Sequence, residues 1–358
     1  MSQEPSHTGT TDVTVRDDAG EVLLFSWPDF VTSICGGLAC FICGRTRADV
    51  AFNDEHIVPN WVLRAFGLHS LKITLPNGNP TLYGNYKVPC CEPCNSEMSR
   101  VIEQDMALLV KAGPGAIQDH VATNGGLLPY TWMALIFLKL HLNDRRMKMH
   151  LDRRKGDAPI SADYIWENMH HLHAVARAFH IGAEVRPEAA GSRFVFPVDG
   201  GEGDFDLHTF TEAQTLYLQL GQTGMIAVFD DSCAAANRVS WILEKITGPV
   251  SPVQARELTA HFALASMDLI NRPNFWTYVS PDRKQVVIGG TTDAVPMFPK
   301  FDRESFGQMM AGAFPTPPSM VGKTSEEVVA GIAAGEISFL FDDKNEFIRD
   351  HASASRTT

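Results

Sequence analysis

Two Cys-x-x-Cys pairs, Cys40 with Cys43 and Cys91 with Cys94, constrain the fold of this 358-residue chain more than any other feature. Four thiolates in two such pairs can close one tetrahedral zinc site. With four sulfur ligands the zinc has no open position for water, so its role would be structural. The spacing therefore predicts that the segments around both pairs fold against one Zn²⁺ ion.

Three further cysteines stand outside these pairs: Cys35, Cys90 and Cys233. We interpret them as buried or partly buried free thiols. Cys90 leaves an alternative open, because Cys90 and Cys94 form a pair with a three-residue gap. A two-residue gap suits a tight knuckle better, so we expect Cys91 to be the ligand.

The composition indicates a soluble globular protein, with 44% hydrophobic and 20% charged residues. Residues 1–20 are polar and lack the apolar stretch of a secretory signal. The most apolar window, residues 127–142, contains Lys139 and is too short to cross a bilayer. Because six of the seven cysteines crowd between residues 35 and 94, metal binding in a reducing compartment is favoured over a disulfide framework. We expect a cytoplasmic protein with no membrane partner.

The charge is unevenly distributed along the chain. The formal net charge is -12, which is unexpected for a protein that binds phosphate groups. From residue 158 onward there are 15 basic and 25 acidic residues, whereas residues 139–157 hold 7 basic and 3 acidic residues. That basic segment is either a solvated helix end or a patch that follows a nucleic-acid backbone without reading bases. Its candidate nucleic-acid-binding residues are Arg145, Arg146, Lys148, Arg153, Arg154 and Lys155.

Hydrophobic periodicity and turn residues predict an α+β protein. Helices are expected at 95–112, 129–143, 162–180, 232–247, 252–271 and 325–334. Strands are expected at 21–25, 71–75, 81–88, 193–198 and 225–229, and a hairpin at 275–289. We divide the chain into a flexible N-terminal tail with a short strand, a zinc module, a mixed and mainly helical part, and a disordered tail: residues 1–29, 30–112, 113–350 and 351–358.

The segment between the two cysteine pairs carries residues suited to phosphodiester hydrolysis. Such a reaction needs a base that deprotonates water and a cation that neutralises charge on the phosphate. His56 suits the first task, because the ordinary pKa of histidine lies near neutral pH. Glu55 and Asn95 offer hard oxygen ligands appropriate to Mg²⁺ or Mn²⁺.

These residues, in the order Cys-x-x-Cys, Glu-His-Ile-x-Pro and Cys-x-x-Cys-Asn, resemble the zinc-stabilised HNH endonucleases over roughly residues 38–145. The resemblance implies a ββα-metal module with zinc on the four cysteines. It also implies that His56 is the general base and that Glu55 and Asn95 hold the catalytic divalent cation. The continuation from Asn95 through Met98-Ser99 is similar to a bacterial branch of that family.

The middle asparagine of the family pattern is less clear in this chain. It usually lies about five residues before the third cysteine, where it holds the hairpin loop and orients the histidine. Here Tyr86 stands at that distance and Asn85 one residue earlier. We take Asn85 as the candidate; some branches lack this residue.

Two other interpretations compete with these. The cysteines alone would also fit a non-catalytic zinc module that binds nucleic acid or protein in an assembly. The segment Met169-His-His-Leu-His173 invites a second metal site, in which His170 and His173, or His173 with His69 or His180, would share an ion. Neighbouring histidines face different sides of a helix, so we favour a solvated helix there.

We therefore expect a metal-dependent endonuclease that hydrolyses DNA with little sequence preference, with RNA as an alternative substrate. An unregulated nuclease harms its own cell, which favours the effector of an antiviral defence or restriction system. A regulatory protein or ligand would then act on the acidic C-terminal part. The sequence leaves open whether the chain forms a homo-oligomer.

Overall fold

A computed structural model of the chain describes residues 13–164, 166–292, 295–314, 316, 318–320 and 322–349. The first part of the predicted N-terminal tail, residues 1–12, and the predicted disordered tail, residues 351–358, lie outside the described residues.

The described chain is a mixed α/β protein. Its strands are β1 Val15–Arg16, β2 Val22–Leu24, β3 Glu55–His56, β4 Lys72–Thr74, β5 Pro80–Leu82, β6 Lys87–Val88, β7 Glu184–Val185, β8 Arg193–Pro197, β9 Phe205–Phe210, β10 Thr215–Leu220, β11 Thr223–Val228, β12 Asn274–Val279 and β13 Val286–Thr291. Its α-helices are α1 Trp27–Asp29, α2 Asn60–Ala65, α3 Glu92–Met98, α4 Gln104–Ala112, α5 Pro114–Asn124, α6 Leu127–Asp144, α7 Glu167–Ala176, α8 Ala178–Ile181, α9 Ala234–Leu243, α10 Pro252–Met267, α11 Arg303–Ala313 and α12 Ser325–Ala333. Two π-helical turns, Phe30–Cys35 and Ser99–Glu103, follow α1 and α3.

The chain folds into two compact units that are not sequential. Of the described residues, unit 1 comprises 13–108, 127–190 and 273–291, and unit 2 comprises 109–126, 191–272 and those from 292 to 349. The predicted division placed one border after residue 112 and assigned residues 113–350 to a second part. The chain instead returns to unit 1, because α6 is apolar all round and is buried there.

Unit 1 contains all six cysteines of the segment 35–94 and three small two-stranded sheets, β1 with β2, β3 with β6, and β4 with β5. A three-stranded sheet has the order β12-β13-β7, in which β12 and β13 form the predicted hairpin. All residues of α6 beyond Leu128 are buried. This helix packs against β6, where the hydroxyl of Tyr86 donates to a carboxylate oxygen of Asp144 at 3.3 Å.

Unit 2 is built on a four-stranded antiparallel sheet of order β8-β11-β10-β9. One core joins this sheet to α9 and α10 and includes Tyr217, Ile226, Leu258 and Phe262. A second core packs α10, α11 and α12 together around Met310. Ser251 and Thr324 precede α10 and α12 in capping boxes: each hydroxyl accepts from the amide of the third helical residue, whose side chain accepts from the amide of the capping residue.

Most predicted elements are confirmed within a few residues. The helix expected at 95–112 begins earlier, at Glu92, and continues through the π-helical turn to Ala112. The helix at 162–180 is divided into α7 and α8, and the region 81–88 is divided between β5 and β6 by the turn Tyr83–Asn85. Strands β9 and β10 and helices α5 and α11 were not predicted.

Candidate metal centre and adjoining histidine site

The four paired cysteines come together in unit 1. The sulfur atoms of Cys40, Cys43, Cys91 and Cys94 all lie within 4.8 Å of one another, and all four residues are buried. Zn–S bonds of about 2.3 Å place the sulfur atoms of a tetrahedral site about 3.8 Å apart. The Cys43–Cys91 sulfur distance of 3.7 Å matches that spacing. The cluster can therefore bind a metal ion such as zinc, as the sequence predicted.

Cys90 lies beside this cluster but outside it. Its sulfur is 4.0 Å from that of Cys40, and it is not one of the four sulfur atoms that share the common centre. Burial raises the pKa of Cys35 to about 12, so that thiol stays protonated, as expected for a buried free cysteine.

Tight turns shape both knuckles. In the first, the amide of Gly44 donates to the carbonyl of Cys40 at 2.9 Å, and Gly44 has a φ of +77° that favours glycine. In the second, Cys91 precedes the first residue of α3 and Cys94 lies in its first turn, where the amide of Asn95 donates to the carbonyl of Cys91 at 3.0 Å. Both cysteine pairs are thus held by short backbone hydrogen bonds.

Helix α7 supports the first knuckle from inside. His173 donates a ring N–H to the carbonyl of Phe41 at 2.6 Å, and Arg177 donates to the carbonyl of Ile42 at 2.7 Å. Both side chains are buried. The expectation that this histidine-rich helix is solvated is therefore wrong, because its histidines are donors to backbone carbonyls. His170 donates to the carbonyl of Phe25 at 2.9 Å in the same way.

The other histidines considered for a second metal site are dispersed. His180 pairs with Glu97, with Nδ1 and Oε2 2.6 Å apart. His69 lies next to His56 instead. Among the residues that the structure describes, the four cysteines are the only group of three or more His, Cys, Asp or Glu side chains close enough to share an ion.

Strands β3 and β6 and helix α3 follow one another around the cysteine cluster. Glu55 pairs with Val88 and His56 with Lys87 in an antiparallel register. Phe52 bridges to Cys91, and the amide of Asn53 donates to the carbonyl of Cys90 at 3.2 Å. The segment that leads into β3 is therefore joined to the second knuckle by backbone hydrogen bonds.

His56 is half-buried on the outer face of β3. Burial, together with the positive charge of Lys87, lowers the pKa of its ring below the ordinary value of 6.5 against the opposing effects of Glu55 and the Gly84 backbone. The His56 ring is therefore neutral at pH 7. The ring of His69 packs edge-on against it, with centroids 5.8 Å apart. Asn85 is exposed in the turn directly after Gly84, which places the predicted middle residue beside the backbone that contacts His56.

Asn95 is half-buried on the first turn of α3. Its side-chain amide donates to the side-chain oxygen of Asn53 at 2.9 Å, and Asn53 lies three residues before His56. The side-chain oxygen of Asn95 does not take part in this hydrogen bond, and an amide oxygen is a suitable ligand for Mg²⁺. The structure thus connects Asn95 with the segment that carries His56.

Glu55 does not lie with Asn95 on this surface. Successive residues of a strand face opposite sides, so Glu55 points inward where His56 points outward. Its Oε1 lies 3.0 Å from Nζ of Lys139, and both side chains are almost fully buried. The sequence predicted that Glu55 would hold a hydrated cation. In the structure its carboxylate is instead paired with Lys139 and removed from solvent, so a hydrated ion does not fit there.

Lys139 also donates to the backbone carbonyl of His56 at 2.8 Å. Glu103, at the end of the second π-helical turn, completes this buried group, and burial raises its pKa to about 7 while the charge of Lys139 opposes that rise. The sequence identified Lys139 as a charged residue in an apolar helix, but it did not predict that Lys139 contacts Glu55 and the carbonyl of His56. His69 and Lys87 were likewise missed as neighbours of His56, since both come close only through the fold of the 57–88 segment.

The predicted basic segment contains paired and unpaired side chains. Lys148 pairs with Asp157, and Arg154 pairs with Asp152 at 2.7 Å. Arg145, Arg146 and Lys155 are exposed, and the backbone of Arg153 lies in a short helical turn, Arg153–Lys155. Nη1 of Arg146 lies 3.5 Å from the carbonyl of Lys87, so this arginine reaches β6.

No protein-family model, curated protein or solved structure matches this chain. In the part of the chain that the structure describes, no single helix is long and apolar enough to cross a membrane. One bent pair, Pro114–Asn124 with Leu127–Asp144, passes that test jointly, on length and composition alone.

Proposed function

We propose that this protein is an HNH-type endonuclease that hydrolyses the phosphodiester bonds of DNA with a divalent cation and little sequence preference. The observation that carries the proposal is the succession of β3, β6 and α3 around a four-cysteine cluster, with His56 on the strand pair and Asn95 on the helix. A ribbon that only binds a partner has no need of a histidine or an asparagine at these two positions. The zinc in this proposal stabilises the fold and takes no part in the reaction.

His56 acts as the general base. A neutral imidazole carries a proton on one ring nitrogen only, and the lowered pKa of His56 leaves the second nitrogen without a proton at neutral pH. That second nitrogen can accept a proton from the attacking water. Lys139 holds the carbonyl of His56 at 2.8 Å and so fixes the strand that carries the base.

Asn95 is the residue of this chain that fits a catalytic Mg²⁺ or Mn²⁺ ion. An amide oxygen is a suitable ligand, and such ions keep several waters and take few ligands from the protein. When bound, the cation would neutralise charge on the phosphate and the leaving oxygen. Glu55 has no part in this arrangement, because Lys139 neutralises it in the core.

A non-catalytic zinc module is the second candidate, and the buried Glu55–Lys139 pair is the observation that favours it. Without an exposed carboxylate, the site offers a cation fewer charged ligands than the HNH resemblance implies. If the protein is nevertheless a nuclease, it would bind its cation weakly without DNA, and phosphate oxygens of the substrate would supply the remaining ligands.

Control by a ligand or partner of unit 2 is also a proposal. It is supported by a cavity of about 560 Å³ between α9, α10, α11 and the segment 335–345, a size typical of small-molecule sites. Trp241, Phe306 and Phe341 line it together with Glu257 and His261. We propose that an effector of an antiviral defence or restriction system would be switched through this unit.

Incubation of the purified full-length protein with supercoiled plasmid tests the proposed activity. We expect nicking with Mg²⁺ or Mn²⁺ and none without divalent cation. His56→Ala should lose cleavage yet keep its zinc content and thermal midpoint, and His120→Ala, a histidine of unit 2, should cleave as the parent does. Cleavage retained by His56→Ala would refute the assignment of the base. No nicking in any condition, including with the products of neighbouring genes, would favour the non-catalytic module.

A further inference from the structure

The outer face of the β3 and β6 strand pair carries more positive charge than the predicted site residues account for. His56 and Lys87 are directly opposite in the antiparallel register, so both side chains stand on the same face about 5 Å apart at Cβ. His69, which is exposed, adds a second imidazole against the ring of His56. Arg146 reaches the carbonyl of Lys87 from α6's C-terminal end. We call the surface formed by the charged Lys87 and Arg146, by His69 and by the neutral ring of His56 the cationic face.

Arg146 is held in this position by a glycine. Gly37 has a φ of +68°, and a Cβ atom added there would lie 2.9 Å from Cδ of Arg146. The aliphatic part of Arg146 packs against Gly37, where the side chain of any other residue would collide with it. This packing directs the guanidinium of Arg146 toward β6. The cations Lys87 and Arg146 thus follow the neutral ring of His56 across the strands.

The charges of this face are available to a ligand. Among the residues that the structure describes, neither Lys87 nor Arg146 forms an ion pair. Lys148 and Arg154 of the same basic segment, by contrast, are paired with aspartates. The two acidic residues that directly precede His56 are also paired, Glu55 with Lys139 in the core and Asp54 with Arg47.

We propose that the cationic face binds the phosphodiester backbone of nucleic acid, with Lys87 and Arg146 contacting phosphate oxygens on one side of His56. This deepens the proposed function and rests on it for the role of His56. Backbone contacts of this kind position the strand without reading its sequence. In a chain with a net charge of -12, such a local concentration of cations is where a polyanion can approach. Lys87 and His69 thereby enter the site, and Lys148 and Arg154 become secondary to Arg146.

Binding is measured on the full-length chain with His56→Asn, which removes the base but keeps a polar side chain of similar reach. Fluorescence anisotropy with a labelled DNA duplex, the same sequence as single-stranded DNA, and the same sequence as RNA gives the dissociation constant over a range of salt concentrations. Added Lys87→Ala or Arg146→Ala should each weaken binding about tenfold, the effect of one charged hydrogen bond. For duplex DNA, each should also reduce the slope of log K against log salt by about 0.9.

Lys284→Ala is the matched control, because Lys284 is an exposed lysine of unit 1 in the β12–β13 turn. It should leave the slope unchanged. Zinc content and thermal midpoint are recorded for every variant, and Lys87→Gln and Arg146→Gln replace any alanine variant that fails to fold. The arms with duplex, single-stranded DNA and RNA identify which backbone is preferred.

Two results overturn the inference: unchanged affinity and salt slope in both variants, or no binding of any of the three nucleic acids by the His56→Asn chain. Failure of the proposed function is distinguishable from both. Salt-dependent binding that needs Lys87 and Arg146, in a parent protein that never cleaves, supports the face and refutes the nuclease. Cleavage by the parent with undiminished kcat/KM in Lys87→Ala and Arg146→Ala supports the nuclease and refutes the face.

Discussion

Lys139 Nζ lies 3.0 Å from Oε1 of Glu55, and the two side chains form an ion pair that is almost completely removed from solvent. The residues are 84 positions apart and join α6 to the strand that carries His56. Removing charge from water is expensive, so such a pair is tolerated only when its hydrogen bonds are satisfied. Here the ammonium group meets that condition by also donating to the carbonyl of His56.

Lys139→Met should destabilise unit 1 by about 3–5 kcal/mol, because it leaves the carboxylate of Glu55 buried without its partner. Urea unfolding at pH 7 measures the free energy. Lys284→Met, in an exposed turn, should change stability by less than about 0.5 kcal/mol. Adding Glu55→Gln and Glu103→Gln to Lys139→Met should recover much of the loss. A Lys139→Met protein as stable as the parent would show that the pair is not formed in solution.

Zinc content distinguishes the two cysteines that compete for the fourth ligand position. Cys91→Ser should lose its zinc and its cooperative unfolding transition, because one thiolate of the cluster is missing and metal binding supplies folding energy. Cys90→Ser should retain zinc at the parent stoichiometry, measured by elemental analysis of the purified chain. The reverse result would assign the site to Cys90.

The pH dependence of unit 2 should reflect Glu257. This carboxylate accepts hydrogen bonds from the hydroxyl of Ser338 and the amide of Leu340, yet burial raises its pKa from 4.5 to about 7. The folded state then binds more protons than the unfolded state between these two values, so stability falls as pH rises from 4.5 to 7. The full effect is at most about 3 kcal/mol.

Glu257→Gln removes this titration and keeps the side-chain shape. The Glu257→Gln protein should be only slightly more stable than the parent at pH 5. The difference in free energy of unfolding should increase with pH and reach its maximum above pH 7. Chemical unfolding of both proteins at a series of pH values gives the two curves. Parallel curves across this range would mean that Glu257 titrates near its ordinary pKa.

The sequence predicted the features whose chemistry is local. The two Cys-x-x-Cys pairs were predicted to come together, and they do so in a cluster that could hold a metal ion. A helix that is apolar almost all round was predicted to be buried, as α6 is. The partner of Glu55 could not be predicted, because the HNH resemblance implied a cation-binding carboxylate there and Lys139 comes from a distant helix. In strand β9, the apolar–polar alternation from Phe205 to His208 is a strand signal that the sequence prediction missed. The membership of residues 127–190 in unit 1 could not be predicted either, because it depends on long-range contacts such as that between Lys139 and Glu55.

Replacing Gly44 by alanine should destabilise the protein by more than the backbone strain of its positive φ alone. Gly44 and Gly67 both lie in unit 1 with positive φ, +77° and +63°, so alanine at either position should cost about 1–2 kcal/mol of backbone strain. A Cβ at Gly67 meets nothing within 4 Å, but at Gly44 it lies 2.6 Å from Cζ of Phe25. Gly44→Ala should therefore lose a further amount of about 1–3 kcal/mol, the usual cost of overpacking. Since Gly44 directly follows Cys43, this strain should also weaken zinc retention against a competing chelator, whereas Gly67→Ala should retain zinc as the parent does. Equal losses in the two variants would show that Phe25 moves aside and that the first knuckle tolerates a side chain at this position.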